Sequence, residues 1–484
     1  MVEAGAVGRR CVAVGTGGFL GRWRAAIAGP AVMVLALVLA LSPALSARAE
    51  ADADLATHVA ELRQLSLDPV PVQTMTRDEL RAMLLESMQE DTADMSATQD
   101  LFVFLDFLEE SDNLQDILVE AHTQEILGFY DDEEDRLYLI GDSAAVTGPM
   151  DKLTLAHEYA HALQDQHFDL TALMDEDSES SEARLALAEG DAMTVMSLYA
   201  YYYLTEEEQA AIGELSGGSG TVADIEMPPI VEESMLFPYE YGLSFVMALI
   251  RDGGWEAVNE AYSDPPVSTE QIMHPRKYYQ ERDEPVELSL PDMAAALGPG
   301  WTEIDSGVFG EFDLKLFLQQ FLDEDEAERS AKGWGGDRYS FLEDEAGGKV
   351  FVLSTFWDDA DDARQFYDSC ANRCEEQGGS GRRGDAEGAR TSGEWESEGR
   401  TCRFALDGQS VYLAMASDAG AASTAMAEVY QPGGSSRVWL WVGLSAGAAV
   451  LVCAVILAVL LPRRRRPAAP PAAPVAPPDS PPAS

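Results

Sequence analysis

Basic residues are scarce in this chain, and their scarcity limits what it can bind. The 484 residues include 32 lysines and arginines against 85 aspartates and glutamates, which gives a formal net charge of −53. Such a surface repels nucleic acid and anionic lipid and attracts basic peptides or cations. The same excess of acid also suits a salty medium or simple solubility. The charge therefore argues against a nucleic-acid partner without choosing another ligand.

Cysteine is scarce as well. Five cysteines in 484 residues are too few for a disulfide scaffold. Cys11 and Cys453 lie in the terminal segments, which leaves Cys370, Cys374 and Cys402. In an oxidising exterior we expect Cys370 or Cys374 to bridge to Cys402 and close the polar loop between them. We do not expect these thiolates to bind zinc, because no fourth partner has ligand spacing.

Two of the six histidines stand in the segment His157-Glu-Tyr-Ala-His161. Residues four apart on a helix leave the same face, so both imidazoles can hold one Zn²⁺. Glu158 follows the first histidine and can reach a metal-bound water as a general base. Asp151, which follows a Gly-Pro pair, is the expected N-cap of this helix. The simpler interpretation is a pair of ordinary histidines on a helix.

A catalytic zinc needs a third protein ligand, and two residues compete for that role. His167 has the metzincin spacing relative to His157, but Gln164 stands where that motif has its helix-breaking glycine. Glu189 lies on an apolar stripe of a second predicted helix, where a carboxylate is costly unless it is paired or binds a metal. We therefore favour Glu189, with a salt bridge to an arginine as the alternative. Asp191 faces the other side of that helix, and we expect a solvated or supporting acid there.

The combination of His157-Glu-x-x-His161 with Glu189-Gly-Asp-Ala resembles the gluzincin zinc metallopeptidases, in which a second helix carries the glutamate. Downstream, Tyr239-Glu-Tyr-Gly-Leu-Ser-Phe-Val246 resembles the helix that often follows in such proteins. Two further segments resemble uncharacterised secreted or membrane-attached bacterial and archaeal members: Ser268-Thr-Glu-Gln-Ile-Met-His-Pro275 and Trp334-Gly-Gly-Asp-Arg-Tyr339.

The resemblance covers residues 95 to 360 approximately. It implies a zinc peptidase in which His157, His161 and Glu189 bind the metal and Glu158 is the general base. It brings no substrate with it.

The segment from Ile126 to Ile140 predicts two short strands around an acidic turn. In gluzincins a strand before the zinc helix can pair its edge with an extended peptide. Leu137 to Ile140 is therefore either such a substrate-binding strand or one half of a structural hairpin. The acids from Asp131 to Asp135 lack EF-hand spacing, and we interpret them as solvated charge.

Peptide hydrolysis also needs a donor for the oxyanion that develops on the attacked carbonyl. Tyr239, Tyr241, His274 and Tyr278 follow the third ligand, where the resembled families commonly place a Tyr or His. We take His274 and Tyr241 as the candidate catalytic donors. His274 precedes Pro275, which favours an extended loop conformation. Its alternative role is to tie down that loop.

The beginning of the chain predicts a signal peptide over residues 1–49. Arg22 and Arg24 precede an apolar run, and Ala47-Arg-Ala49 supplies the small-x-small site before cleavage at Glu50. The arginines are spread over a long segment, so a retained anchor is the alternative.

The end of the chain predicts a transmembrane helix over Val438 to Leu461, which is long enough to cross the bilayer. Arg463 to Arg466 belong on the cytoplasmic side. Residues 462–484 then form a basic, Pro/Ala-rich cytoplasmic tail that we predict to be disordered. The bulk of the protein is expected to be extracellular, on a single-pass membrane anchor.

The remaining residues predict an α+β protein of two domains. Residues 50–290 are expected to form a mainly helical metallopeptidase-like domain with a small edge hairpin, and residues 300–430 a ferredoxin-like α+β domain. We predict loops at 205–229, where the chain is acidic and then Gly/Ser-rich, and at 375–398.

These patterns together predict a membrane-anchored extracytoplasmic zinc peptidase that acts on peptide or protein substrates. The competing hypothesis is a non-catalytic cell-surface binding protein with a structural or vestigial metal site. The presence of Glu158 favours the enzyme, because a purely structural site does not need that acid.

Overall fold

The computed structural model describes residues 54–89, 92–132, 134–141, 148–173, 178–217, 227–383, 390–397, 399–430 and 439–441. The predicted signal peptide and the predicted cytoplasmic tail lie outside these residues. Of the predicted transmembrane helix only Trp439–Trp441 is described, and these residues form a short strand instead of a helix. Among the described residues, no helix combines the length and the apolar character that crossing a membrane requires.

The first part of the chain is mainly helical, as predicted. Its helices are α1 (54–63), α2 (Arg77–Gln89), α3 (Thr92–Phe104), α4 (Leu114–Glu125), α5 (Pro149–Phe168), α6 (Leu170–Leu173), α7 (Ser178–Tyr203), α8 (Glu206–Gly217), α9 (Pro229–Ser263) and α10 (Thr269–Met273). A π-helical turn follows at Lys277–Glu281. Gly254, with φ 70° and ψ −160°, interrupts α9. The long helix α7 packs against both α5 and α9, so it lies between the HEYAH helix and the helix that carries Tyr239.

A three-stranded sheet lies beside these helices: β1 (Val72–Met75), β2 (Gly128–Asp131) and β3 (Arg136–Ile140). The predicted hairpin is confirmed, since β2 and β3 are antiparallel. Of the two interpretations of Leu137 to Ile140, the structure forms the hairpin and not the substrate-binding strand, because β3 is the central strand and also pairs in parallel with β1. Both hydrogen-bonding edges of β3 are thus used. Among the described residues, β2 forms an edge of this sheet.

Gly128 allows β2 to lie close to the HEYAH helix. A Cβ atom at this position would crowd the methyl group of Thr154 on α5. The edge strand therefore runs directly along the helix that carries the histidines.

The second part of the chain contains a seven-stranded antiparallel sheet in the order β5-β6-β7-β11-β10-β9-β8. Its strands are β5 (Trp301–Gly307), β6 (Trp334–Asp344), β7 (Lys349–Trp357), β8 (Ser380–Arg383), β9 (Arg390–Ser397), β10 (Arg400–Asp407) and β11 (Ser410–Ala416). The helices of this part are α11 (Met293–Leu297), α12 (Gly310–Gln319), α13 (Glu324–Ala331), α14 (Ala360–Glu376) and α15 (Ala419–Val429). A separate pair joins β4 (Glu287–Ser289) to β12 (Trp439–Trp441).

The α+β class is confirmed, but the ferredoxin-like topology is wrong. Along β11, Leu413 belongs to the apolar cluster that contains Phe366 of α14, whereas Ala414 belongs to the cluster that contains Ala422 of α15. Alternate residues of a strand face opposite sides of a sheet, so α14 and α15 cover opposite faces. A ferredoxin-like sheet has four strands with both helices on one face, whereas this sheet has seven described strands and a helix on each face.

Two segments that the sequence predicts to be loops contain a helix and two strands. The loop predicted at 205–229 begins with α8, whose first turn is closed by a capping box: the Glu208 amide donates to the Thr205 hydroxyl and the Thr205 amide donates to the Glu208 carboxylate. The loop predicted at 375–398 contains β8 and β9, and β9 pairs along its whole length with β10. Both pairings are between neighbours along the chain, β8 with β9 and β9 with β10, so hairpin formation overrides the glycine-rich local sequence.

One apolar core cluster contains residues of both parts of the chain, including Phe237 and Phe245 of α9 and Phe312 and Phe351 beyond residue 300. Cys370, Cys374 and Cys402 are buried within the second part and are free thiols, so the structure does not contain the disulfide expected at Cys402.

Candidate metal centre

The HEYAH segment lies in the middle of α5, a helix that is continuous from Pro149 to Phe168. The N-cap is Gly148, and the prediction of Asp151 as N-cap is wrong. Asp151 stands in the first turn, where its carboxylate accepts the backbone N–H of Gly148 at 3.0 Å. Proline at the first helical position suits this start, because its missing N–H would have no helical partner.

Three side chains converge on one point between α5 and α7. The Nε2 atoms of His157 and His161 are 3.0 Å apart. Oε2 of Glu189 lies 3.1 Å from Nε2 of His157 and 3.4 Å from Nε2 of His161. The three side chains are 12%, 14% and 13% exposed, and Oε2 of Glu189, the atom that faces both histidines, is buried without a hydrogen-bond partner among the described residues. Two imidazoles and one carboxylate are the donor set of many catalytic Zn²⁺ sites, in which the fourth position is left to water.

His161 and Glu189 shift each other's pKa values in opposite directions. Burial by itself lowers the pKa of His161, but the carboxylate of Glu189 outweighs that effect and raises the pKa to about 9. Burial likewise acts to raise the pKa of Glu189, and the two histidines hold it far below its usual range. Without a metal, the site is thus held together by an imidazolium–carboxylate pair. A bound cation would take the place of that positive charge.

Glu158 lies next to these ligands without joining them. Its side chain is buried, and its carboxylate accepts a hydrogen bond from the backbone N–H of Tyr130 in β2. Burial raises the pKa of Glu158, and the neighbouring histidines offset part of that rise. The group of possible metal ligands found here contains His157, His161 and Glu189 but not Glu158. Glu158 is therefore an acid beside the candidate ligands that is not itself a ligand, as a general base at such a site must be.

Tyr239 is the tyrosine at the site. Its ring centroid lies 6.2 Å from that of His157, and 38% of the residue is exposed. The charge of Glu189, followed by burial, raises the pKa of Tyr239 well above its ordinary value. The hydroxyl therefore keeps its proton at neutral pH and can act as a donor.

The structure does not bring Tyr241 or His274 to the metal centre. Tyr241 is two residues beyond Tyr239 on α9 and so leaves another face of the helix, where its ring packs 5.1 Å from that of Phe237. His274 Nε2 lies 2.8 Å from Oε1 of Glu311, a fully buried residue of α12. The choice of Tyr241 and His274 as oxyanion donors is thus unsupported by the geometry. His274 has the alternative role of tying its loop to the core.

His167, the other candidate for the third ligand, does not lie at the metal centre. Its Nε2–H donates to the backbone carbonyl of Ser66 at 2.8 Å, on an exposed part of α5. The helix does not break at Gln164, so His167 points away from the other histidines. Metzincin geometry is therefore not formed.

Asp191 is neither solvated nor part of the metal site. It is fully buried, and its carboxylate accepts hydrogen bonds from Arg63 at 2.8 and 3.0 Å and from the Tyr262 hydroxyl at 3.0 Å. This buried ion pair joins α1, α7 and the end of α9. No local sequence pattern predicts this ion pair, because its partners are far apart along the chain.

A second group of three acidic side chains already binds a lysine. Glu270, Asp283 and Asp358 lie close enough to hold a cation. The ammonium of Lys277 lies between them, 2.6, 2.9 and 2.6 Å from the three carboxylates. We interpret this group as a structural ion-pair cluster that joins the π-helical turn to the end of β7.

Comparison with known proteins bears on the second part of the chain. A family described as "Domain of unknown function (DUF8575)" matches residues 299–426. The matched segment runs from β5 into α15 and leaves out the HEYAH helix and Glu189. No curated protein and no solved structure matches the chain.

Proposed function

We propose that this protein is a zinc-dependent peptidase whose metal is held by His157, His161 and Glu189. The observation that carries the proposal is the convergence of these three ligand atoms within 3.4 Å of one another, with Glu158 held beside them by the backbone of β2. A catalytic site needs such a donor set, an open side and an acid that is not a ligand.

Each side chain has a distinct part in the proposed reaction. Zn²⁺ at this site would supply Lewis acidity toward a water and the scissile carbonyl. Glu158 takes a proton from the water and later passes it to the leaving amine. The raised pKa of Glu158 suits that exchange, because a base with a pKa nearer neutrality also gives the proton back more readily. Tyr239 replaces Tyr241 and His274 as the donor toward the oxyanion.

The strand β2 is the proposed substrate-binding edge, in place of β3. It lies along α5, and the Tyr130 N–H on its free side already reaches Glu158. An extended peptide that pairs with the remaining free groups of this edge would lie beside α5, the helix that carries the histidines. The substrate class supported by this geometry is a peptide or an unstructured protein segment.

The proposed location is the outer face of a membrane, with the chain anchored at its end. This proposal rests on the sequences of the terminal segments, namely the small-x-small site before Glu50 and the Arg463 to Arg466 cluster. External protease on intact cells should remove the region between them and leave a short membrane stub. Complete protection of that region would refute the orientation.

The test of the function joins metal analysis with hydrolysis. The purified protein should bind about one zinc per chain and cleave unstructured casein, and a chelator should stop cleavage that added zinc restores. Absence of bound zinc would refute the metal centre. Zinc binding with no cleavage of any peptide library would instead favour the cell-surface binding protein.

A further inference from the structure

Gln164 occupies a position one turn after His161, on the same side of α5, and it is almost completely buried at 1% exposure. Its side-chain oxygen lies 2.9 Å from Nδ1 of His161. Its side-chain nitrogen donates to the backbone carbonyl of Ala188 at 2.9 Å. One amide therefore contacts a candidate metal ligand on α5 and the residue that precedes the other ligand, Glu189, on α7.

These two contacts fix which atoms donate and which accept. A backbone carbonyl only accepts, so the NH₂ group of Gln164 must face Ala188. Its carbonyl oxygen then faces His161 and accepts in turn, which requires a proton on Nδ1 of that ring. With Nδ1 protonated, the lone pair of the neutral imidazole is on Nε2. That atom is the one that points toward His157 and Glu189.

The same amide sets the distance between the two ligand-bearing helices. Ala188 is adjacent to Glu189, so a hydrogen bond to its carbonyl holds the backbone of α7 at a fixed distance from α5. Burial excludes water from this contact, and no solvent molecule is available to replace the amide if it is lost.

We propose that Gln164 is the positioning residue of the metal centre: it selects the His161 tautomer with a free Nε2 and holds Glu189 within ligand distance of it. This inference rests on the proposed function, since it concerns the residues that would bind the metal. A ligand histidine commonly donates its other N–H to a supporting acceptor, and here the acceptor is a neutral amide that also bridges to the second helix.

The experiment compares Gln164→Met with Gln166→Met in the full-length protein. Met removes the amide from each position and keeps the length of the side chain. Gln166 lies two residues along the same helix, where it is exposed and exchanges hydrogen bonds with the backbone of Asp68 at 2.8 and 3.3 Å. Zinc affinity is measured by competition with a chromophoric chelator, and ligand geometry by the visible absorption spectrum after cobalt(II) loading. Circular dichroism and metal-free melting temperature establish that each variant is folded.

We expect Gln164→Met to weaken zinc binding roughly 10- to 100-fold and to alter the cobalt spectrum, while Gln166→Met stays within about 2-fold of wild type. Gln164→Glu retains an acceptor for Nδ1–H of His161, but its carboxylate cannot donate to the Ala188 carbonyl. It should therefore also weaken zinc binding and alter the cobalt spectrum, and it provides the test if Gln164→Met does not fold. Equal zinc affinity and identical cobalt spectra in Gln164→Met and Gln166→Met would overturn the inference alone, as would wild-type zinc affinity with an unaltered spectrum in Gln164→Glu. A wild-type protein that binds neither metal would overturn the proposed function and this inference with it.

Discussion

Gly190 and Gly242 face each other where α7 and α9 cross. A Cβ atom on Gly190 would overlap the carbonyl oxygen of Gly242, and one on Gly242 would overlap the carbonyl oxygen of Ala186. The backbones of the two helices are therefore in direct contact. Gly190 is adjacent to Glu189, and Gly242 is three residues after Tyr239, so this contact brings the ring of Tyr239 to the metal centre. The glycine of Glu189-Gly-Asp-Ala and the glycine of the segment Tyr239 to Val246 are therefore both needed for the same reason, the close approach of the two helices.

Gly242→Ala should separate these helices. The added methyl group has no space, so we expect the free energy of unfolding to fall by about 1–3 kcal/mol and zinc affinity to fall with it. Urea unfolding and zinc competition measure the two effects. Ser244→Ala, at an exposed position of the same helix, is the matched control and should change stability by no more than about 0.5 kcal/mol. Comparable stability of both variants would show that the crossing is not tight.

Glu158→Gln separates catalysis from metal binding. The substitution preserves shape but removes the group that accepts a proton from water, so we expect one zinc per chain and a loss of peptidase activity on the order of 10² to 10⁴. Metal analysis and turnover of a peptide cleaved by wild type measure the two quantities. Undiminished turnover in Glu158→Gln would exclude Glu158 as the base.

Glu189→Ala and His167→Ala test the identity of the third ligand. Glu189→Ala removes one of the three converging atoms, so the protein should lose its zinc and its activity. His167→Ala removes only a hydrogen bond to the Ser66 carbonyl and should leave zinc bound. Zinc content after dialysis against a weak chelator gives the answer. The opposite result, with metal lost only from His167→Ala, would replace the gluzincin arrangement with a metzincin one.

Tyr239→Phe and Tyr241→Phe test which tyrosine takes part in the reaction. Tyr239→Phe should lower kcat by roughly 10² to 10³, the usual effect of removing one oxyanion donor, and leave zinc affinity unchanged. Tyr241→Phe removes a hydroxyl that faces Lys315 and should leave kcat near the wild-type value. Steady-state kinetics on one peptide substrate compare them. A larger loss in Tyr241→Phe than in Tyr239→Phe would contradict our placement of Tyr239.

We expect His122 to make the free energy of unfolding depend on pH, independently of the metal centre. Burial lowers the pKa of His122 from 6.5 to about 4 in the folded protein. Between pH 6.5 and pH 4, His122 therefore binds a proton in the unfolded chain but stays neutral in the folded protein. The contribution of this group is fully present above pH 6.5 and is lost as the pH falls toward 4, by at most about 3 kcal/mol.

His122→Leu should remove this dependence. Between pH 7 and pH 4.5, the free energy of unfolding of wild type should fall by about 2 kcal/mol more than that of the variant, measured by urea titration. His167→Leu, at an exposed histidine, is the control and should follow wild type. An equal decrease in wild type and His122→Leu would show that His122 is solvated.

The sequence by itself determined the features that depend on neighbours along the chain. His157 and His161 share a face because one helical turn separates them, and the hairpin at β2 and β3 follows from two apolar runs around an acidic turn. The apolar stripe around Glu189 indicated that its carboxylate needed a partner. The capping box at Thr205 and Glu208 was also readable in the sequence, although we predicted a loop there.

Only the tertiary structure decided the features that join distant segments. The choice of Tyr239 over Tyr241 depends on which face of α9 meets α7, and the role of Gln164 depends on Ala188 lying on another helix. The edge strand is β2 because β1, far away in the chain, pairs with β3. Periodicity indicates which side of an element is buried, but the element that covers that side is selected by the packing of the whole chain, and no local pattern encodes that selection.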